Sequence, residues 1–366
     1  MKTSDFDYFL PQELIAQSPA EKRDSCRLLC MDRNTGALED RIFSDVIEYL
    51  NPGDLVIVNE TRVLPARLIG KKHETGGEAE VFLLREVFDR EPKTNKSALW
   101  EVLVKPGKRL KPPAHAGETG ALVDILDDEG NLAIQAEIID WVPHGQKGER
   151  IARLTTPLDS LDEAMHAVGN TPLPPYIKNY AGNKELYQTV YSKREASAAA
   201  PTAGLHFTPE LIEAIRTKGV QWETVELEVG LDTFRIVEEE NAEDHRIHTE
   251  FFTVSQRTID AIEATKAAGK RVIAVGTTSV RSIESAWDAQ AQCLLPRERE
   301  ATCLYIIPGY RFHTVDALIT NFHVPKSTLM MLVSAFSSRE NIMDAYRHAV
   351  EERYRFLSFG DAMFIH

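Results

Sequence analysis

Apolar residues recur along this chain at two different spacings. In residues 67–155 they fall in short β-type runs, at 66–69, 79–88, 99–104, 120–126, 132–139 and 151–154. Asp127-Asp128-Glu129-Gly130-Asn131 between two of these runs predicts a hairpin turn, and Gly76-Gly77 and Pro112-Pro113 are further breaks. No stretch here carries a helical period, so 67–155 is expected to be a small all-β domain inserted in a larger one. The flanks, 1–66 and 156–366, alternate helix and strand. Ser44 is placed to cap a helix ending at Asn51-Pro52-Gly53, with a buried strand over 55–58. Thr208-Pro209 opens a helix that stops at Gly219, with Leu211, Ile212 and Ile215 on one face. An extended run follows over 220–229, then a helix from Ser255 to Gly269, a strand over 271–275, and a helix from about Val280 to Ala289. Such alternation implies an α/β sheet or barrel for this larger part.

The sharpest change of polarity lies between Val315 and Phe336. An apolar run over 315–319 breaks into Asn321, His323, Lys326, Ser327 and Thr328, and a second apolar run over 329–336 follows at once. Pro325 keeps Val324 out of helical geometry, and Ser327 or Thr328 can cap a helix starting near Leu329. The pattern predicts strand, tight turn and helix. Free N–H groups at such a helix start suit an anion. A capped buried helix with a satisfied core histidine explains the same residues.

Composition narrows the class. A length of 366 residues suits about two domains. The apolar and charged fractions, 43% and 27%, are ordinary for a soluble protein. No signal-peptide pattern opens the chain and no apolar run is long enough to cross a bilayer, so a cytoplasmic location is expected. Four cysteines, Cys26, Cys30, Cys293 and Cys303, suit a reducing compartment, and they form no zinc or iron–sulfur spacing. The net charge of −14 disfavours indiscriminate binding of nucleic acid. It leaves room for local basic patches, at Lys105, Lys108, Arg109 and Lys111, and at Arg62, Arg67, Lys71 and Lys72.

Several turns combine reactive side chains with predicted element ends. Val275-Gly276-Thr277-Thr278-Ser279-Val280-Arg281 puts N–H groups and hydroxyls after an apolar strand, where α/β proteins bind ligands. It is neither a Walker A loop nor a dinucleotide fingerprint. A ligand carboxylate or ribose and simple helix capping both explain it. Pro201-Thr202-Ala203-Gly204-Leu205-His206-Phe207 lets backbone approach closely at Gly204 and offers His206 as a base or as a structural histidine. His245-Arg246-Ile247-His248 reads as a polar loop or, with His323, as a metal site for a hydrolase, although the spacing matches no standard zinc pattern. Arg62 and Arg67 follow the strand over 55–58 and suit carboxylate or phosphate. The aromatics of 354–363 form either a base-stacking surface or a core strand.

Together these motifs resemble the S-adenosylmethionine:tRNA ribosyltransferase-isomerase family of queuosine biosynthesis. The resemblance is carried by Phe6-Asp7-Tyr8, Ser25-Cys26-Arg27-Leu28-Leu29, Asn51-Pro52-Gly53-Asp54-Leu55 and Thr61-Arg62-Val63-Leu64-Pro65-Ala66-Arg67-Leu68. It continues through P-L-P-P-Y-I at 172–177, Y-Q-T-V-Y at 187–191, P-T-A-G-L-H-F at 201–207 and V-G-T-T-S-V-R at 275–281. P-G-Y at 308–310, T-N-F-H-V-P-K-S-T at 320–328 and the final G-D-A-M complete it. It implies a large α/β barrel-like domain with a small β-barrel domain. It implies transfer and isomerisation of the ribosyl group of S-adenosylmethionine onto 7-aminomethyl-7-deazaguanine at the tRNA wobble position, giving epoxyqueuosine with loss of adenine and methionine. The donor is then a consumed substrate, with no further cofactor and no metal; a monomer without membrane contact is expected.

That chemistry assigns candidate roles. His206 and His323 are candidate bases for the acidified methylene beside the sulfonium, with Lys326 in the same turn. Asp316, Asp361 or Tyr310 suit the departing adenine. Arg281, Gly276, Thr277 and Thr278 suit the methionine end, with Thr202, Gly204, Asn321, Arg62 and Arg67 as further substrate contacts. Lys105, Lys108, Arg109 and Lys111 suit tRNA phosphates. One stretch departs from the family's commoner pattern: Glu228 stands where histidine is common and Asp232 where glycine is, so the acidic pair is expected near ligand ammonium or ribose. A metal-dependent hydrolase on His245, His248 and His323 and a non-catalytic RNA-binding module are the competing readings.

Overall fold

The parallel core of the larger unit follows from three strands buried on both faces, Leu55–Asn59, Val272–Val275 and Ala317–Asn321, flanked by the alternating strand Gln221–Leu227, which pairs with Leu55–Asn59. The computed structural model describes residues 1–88, 90–115, 117–143, 148–178, 180, 182–230 and 236–366. The chain divides into two compact units, residues 1–62 with 173–366, and residues 63–172.

In the first unit the four parallel strands sit in a nine-stranded sheet. Beyond Ala317–Asn321 come Ala362–Ile365 (antiparallel to it), Arg27–Met31 and Leu38–Ile42. Beyond Gln221–Leu227 come Glu250–Val254 and Arg297–Thr302. Both outer strands, L-E-D-R-I and R-E-R-E-A-T, are mostly exposed and charged, which blunts pairing with another chain. Alternate residues feed two cores. Leu55, Ile57, Val272, Ala274 and Leu318 pack with Val280 and Ile283 on one face. Val56, Val58, Ile273, Val275 and Ile319 pack with Leu211, Ile212 and Ile215 on the other. Covered on both faces, the central strands read as continuous apolar runs.

Local signals decide the helices. The Thr208 hydroxyl accepts the Leu211 N–H at 3.2 Å, Pro209 takes the first helical position, and Gly219 adopts φ +86° after Pro209–Thr217. Ser255 caps Gln256–Ala267 in the same way. Two expectations are corrected. The segment expected as a Ser44-capped helix is a 3-10 helix, Phe43–Tyr49, in which Asp45 rather than Ser44 takes the free Ile42 N–H. The helix expected from Val280 begins at Gly276, because Gly276 adopts φ +84° and the Ser279 and Ser282 hydroxyls return to the Val275 and Thr278 carbonyls. Of the two readings of the C-terminal aromatics, Tyr354, Phe356 and Phe359 are buried, so they are core.

The second unit is a closed six-stranded barrel, ordered Glu149–Thr155, Ser97–Lys105, Glu78–Val87, Arg67–Lys72, Leu122–Leu126, Leu132–Trp141 and back to Glu149–Thr155. All its pairings are antiparallel. Val81, Leu83, Val102, Val104, Val123, Ile125, Ile134 and Ile138 are buried, and closure leaves no free strand edge. The hairpin turn forms as expected: Asp127 Oδ1 accepts the N–H of Glu129 and Asn131 at 3.0 and 2.8 Å, and Gly130 takes φ +89°. Helix Leu161–Val168, capped by Ser160, packs against Leu132–Trp141.

Candidate active site

A cleft opens at the C-terminal ends of the parallel strands in the larger unit, where such sheets hold their ligands. Its walls include Thr202, Val229, Gly276, Thr277, Thr278, Thr320, Asn321, His323, Ser327 and Leu329. The predicted strand, turn and helix provide one side. Ala317–Asn321 ends at the cleft, and the Ser327 hydroxyl, accepting the Met330 N–H at 3.2 Å, starts Thr328–Phe336. Of the two capping candidates, the structure uses Ser327. The first turn of Gly276–Ser285 forms another side. There the Thr278 hydroxyl is buried and has no partner among the described residues. A buried hydroxyl without a protein partner at a helix start can hydrogen-bond a ligand atom.

The two histidines differ. His323 lines the cleft; its Nε2 lies 3.0 Å from the Thr320 hydroxyl, and its Nδ1 has no partner among the described residues. Its backbone is pinned, the N–H donating to the Tyr346 hydroxyl and the carbonyl accepting from Tyr8. Burial pushes its pKa down to about 3. His206 sits behind the wall with both ring nitrogens engaged, Nδ1 3.1 Å from Cys26 Sγ and Nε2 3.0 Å from Asn321 Nδ2. Burial, then Arg23 and Arg355, push its pKa to about 3. Both rings are therefore neutral near pH 7.

Other candidates stand elsewhere. Asp316 directly precedes the strand that Asn321 ends, roughly 16 Å away along an extended chain, and is paired with Lys266 at 2.6 Å. Tyr310 donates to Glu284, a carboxylate that also gathers the N–H groups of His313, Thr314 and Val315. Asp361 accepts the N–H groups of Arg27 and Arg355 at 2.9 and 2.7 Å, a buried clasp. Lys326 shares the cleft's turn, with φ +58°, but its ammonium meets Asp7 at 3.1 Å. Gly204 belongs to the turn of Thr202 and packs on Tyr191. Arg281 is on the cleft's helix, yet its guanidinium is bound to Glu250 in a buried pair. Burial alone would raise the Glu250 pKa; Arg281 and then His248 outweigh it and hold it at about 2. Arg62 is bound by Glu185 and Glu195. Glu228 is held by Arg299 at 3.0 Å and Arg194 at 3.2 Å, and Asp232 lies outside the described residues.

Among the described residues no three His, Cys, Asp or Glu side chains converge as metal ligands. His245 meets Glu239 and His248 meets Glu250, so the three histidines of the hydrolase reading have separate partners. Among the described residues no helix is long and apolar enough to cross a membrane.

In the barrel unit, Lys105, Lys108, Arg109 and Lys111 are exposed at and after the end of one strand. A groove of about 980 Å³ runs beside them, lined by Arg67, Lys71 and Lys105 but also by Glu78, Glu80, Asp124, Asp127, Asp128 and Glu129. Arg67 and Lys105 both pair with Glu80. Carboxylates outnumber cations there, so the groove is a poor phosphate site, and the basic loop Lys108 to Lys111 is the better one.

Sequence reasoning missed Tyr176 and Ser358, which line the cleft and share a 2.6 Å hydroxyl contact. Tyr176 belongs to the quoted P-L-P-P-Y-I run, but nothing local signals that it meets a turn 182 residues away.

Comparison with known proteins identifies the family. Residues 3–365 match the family described as queuosine biosynthesis protein. The chain is 49% identical over 365 residues to the S-adenosylmethionine:tRNA ribosyltransferase-isomerase of Clostridium kluyveri, and 47% over 366 to that of Acetivibrio thermocellus, covering 100% of each chain in both cases. The crystal structure of a Thermotoga maritima S-adenosylmethionine tRNA ribosyltransferase matches with a TM-score of 0.53 and 36% identity, over 99% of this chain and 100% of that one. The chain belongs to the queuosine biosynthesis protein family.

Proposed function

We propose that this protein is an S-adenosylmethionine:tRNA ribosyltransferase-isomerase. It transfers the ribosyl group of S-adenosylmethionine to 7-aminomethyl-7-deazaguanine at the tRNA wobble position and rearranges it to epoxyqueuosine, releasing adenine and methionine. The observation that carries the reading is the convergence in one cleft of a neutral histidine with a free ring nitrogen, His323, the Asn321 amide, and a helix start with a spare hydroxyl, Thr278. The sulfonium makes the adjoining methylene acidic, and His323 Nδ1, in the cleft wall, takes its proton in this reading. Thr320, 3.0 Å from Nε2, orients the ring. The N–H groups of the Gly276–Thr278 turn and the Thr278 hydroxyl bind the methionine carboxylate. Thr202 and Asn321 contact the nucleoside part. Arg281 contributes by holding its helix in place, since Glu250 neutralises it. The exposed Lys108, Arg109 and Lys111 loop meets tRNA phosphates.

The test is to incubate the protein with S-adenosylmethionine and tRNA carrying the 7-deaza base, and to measure free adenine. Release that requires both substrates supports the reading. Methylated RNA without adenine would reject it in favour of a methyltransferase, and RNA binding with no product would leave a binding module.

A further inference from the structure

The cleft's amide side chain, Asn321, is held at its oxygen by Thr202 of the cleft wall and at its nitrogen by two buried groups, His206 and Cys26, that do not line the cleft. Thr202 donates its hydroxyl hydrogen to Asn321 Oδ1 at 2.9 Å, and Asn321 Nδ2 lies 3.0 Å from His206 Nε2. An amide nitrogen only donates, so His206 Nε2 must accept, and the ring proton resides on Nδ1. That Nδ1 lies 3.1 Å from Cys26 Sγ, which takes the hydrogen. Cys26 is itself fixed, its carbonyl accepting the Phe43 N–H at 2.8 Å, and the Phe43 ring packs 5.0 Å from the imidazole.

We propose that His206 is a positioning residue, which with Cys26 behind it holds the Asn321 side chain in the one orientation that the transferase reaction uses. The substrate class rests on the transferase reading above; the chain of contacts does not. His206 has no free lone pair, is 4% exposed, and is absent from the cleft wall that Asn321 helps form. A general base must reach the proton it abstracts, and here the Asn321 amide occupies the nitrogen that would do so. Cysteine, histidine and asparagine in series also resemble a thiol-nucleophile triad, but burial raises the Cys26 pKa far above its ordinary value, so no thiolate forms. The benefit lies at Asn321. With one amide hydrogen and one carbonyl lone pair committed, it presents one remaining donor and one remaining acceptor in a fixed order. Without His206 the amide can rotate by half a turn and present them reversed.

His206→Gln and His206→Leu separate the two roles. Glutamine places a carbonyl oxygen near the Nε2 position and restores an acceptor for Asn321, but has no basicity. If His206 positions Asn321, His206→Leu lowers kcat by about 100-fold, the cost of misplacing a contact group by about 1 Å. His206→Gln then recovers most of that loss with an unchanged pH profile. Equal loss in both variants overturns the proposal and returns His206 to the role of base. Imidazole nitrogen NMR on the wild-type protein gives a reading that needs no activity. A proton on Nδ1, with no titration between pH 5 and 9, supports the chain of contacts, and a proton on Nε2 or a titration near pH 7 overturns it. Wild-type protein that releases no adenine would defeat the transferase reading alone, leaving the NMR result to decide this one.

Discussion

Glu250 and Arg281 form an ion pair sealed from solvent, on the strand Glu250–Val254 next to the sheet's edge and on the helix whose first turn lines the cleft. Glu250 also accepts the Gly230 N–H at 2.9 Å, and His248 lies 3.0 Å from it. The pair therefore ties the backbone beside Val229, a cleft residue, to the Gly276–Ser285 helix. Removing one member strands the other charge. Glu250→Gln should cost about 3–5 kcal/mol of stability, the range for breaking a buried pair. Urea unfolding of the variant measures it; a loss under about 1 kcal/mol would show that the pair is solvated.

The same carboxylate sets an acid limit. Its pKa falls from an ordinary 4.5 to about 2 in the folded protein. A depressed carboxyl stabilises above the unfolded pKa, and that contribution disappears as pH falls from 4.5 towards 2. It amounts to about 3 kcal/mol at neutral pH. Glu250→Gln should flatten the stability profile in that window and leave its slope between pH 7 and 9 unchanged.

His206 and His323 act at higher pH. Both are held neutral, with pKa values pushed from 6.5 to about 3. The unfolded chain gains a proton at each as pH falls through 6.5, while the folded protein does not. Stability is therefore complete above pH 6.5 and declines between 6.5 and 3, by about 1.4 kcal/mol per pH unit for each histidine. Unfolding midpoints at pH 7 and pH 5 should differ accordingly, and His206→Gln should lower the slope by about 1.4 kcal/mol per pH unit. Turnover, by contrast, should not lose His323 as an acceptor anywhere above about pH 4.

Thr278→Val separates a ligand contact from a structural hydroxyl. The hydroxyl has no protein partner among the described residues, so its loss should leave stability unchanged or raise it slightly. The KM for S-adenosylmethionine should rise by about 10-fold, one hydrogen bond to a charged group. An unaltered KM would remove Thr278 from the donor site.

Gly204 explains why the turn carrying Thr202 tolerates no side chain there. A Cβ would come within 1.9 Å of the Tyr191 hydroxyl oxygen and 2.9 Å of Thr189 Cγ2. Gly204→Ala should cost about 1–3 kcal/mol by overpacking. The Tyr191 hydroxyl has no partner among the described residues, so Tyr191→Phe should be harmless alone and should recover part of the loss in the double variant. Thermal unfolding of the four proteins tests this.

Much of the scaffold was legible because the decisive signals are local. Ser327 with Pro325 and the two apolar runs gave strand, turn and helix, Thr208-Pro209 and Gly219 bounded a helix, and the β-type runs of 67–155 gave the barrel strands. The site was only half legible. Gly276, Thr277, Thr278, Thr202, Asn321 and His323 gather at strand ends, as turn chemistry implied. Asp316 was misjudged because a strand has two ends and composition does not say which one faces the ligand. Arg281, Asp361 and Tyr310 looked free in sequence, but their partners Glu250, Arg27 and Glu284 lie 31, 334 and 26 positions away, beyond any local pattern. The helix Arg339–Glu351 and the antiparallel strand Ala362–Ile365 were likewise decided by tertiary packing.

The central claim is that the cleft delivers the sugar of S-adenosylmethionine to RNA. Two samples of donor, one labelled in the ribose carbons and one in the S-methyl group, should be incubated with the protein and tRNA bearing the 7-deaza base. Ribose label should enter the RNA in step with free adenine, and methyl label should remain with methionine. Methyl label in the RNA, or ribose label still joined to adenine, would contradict the account.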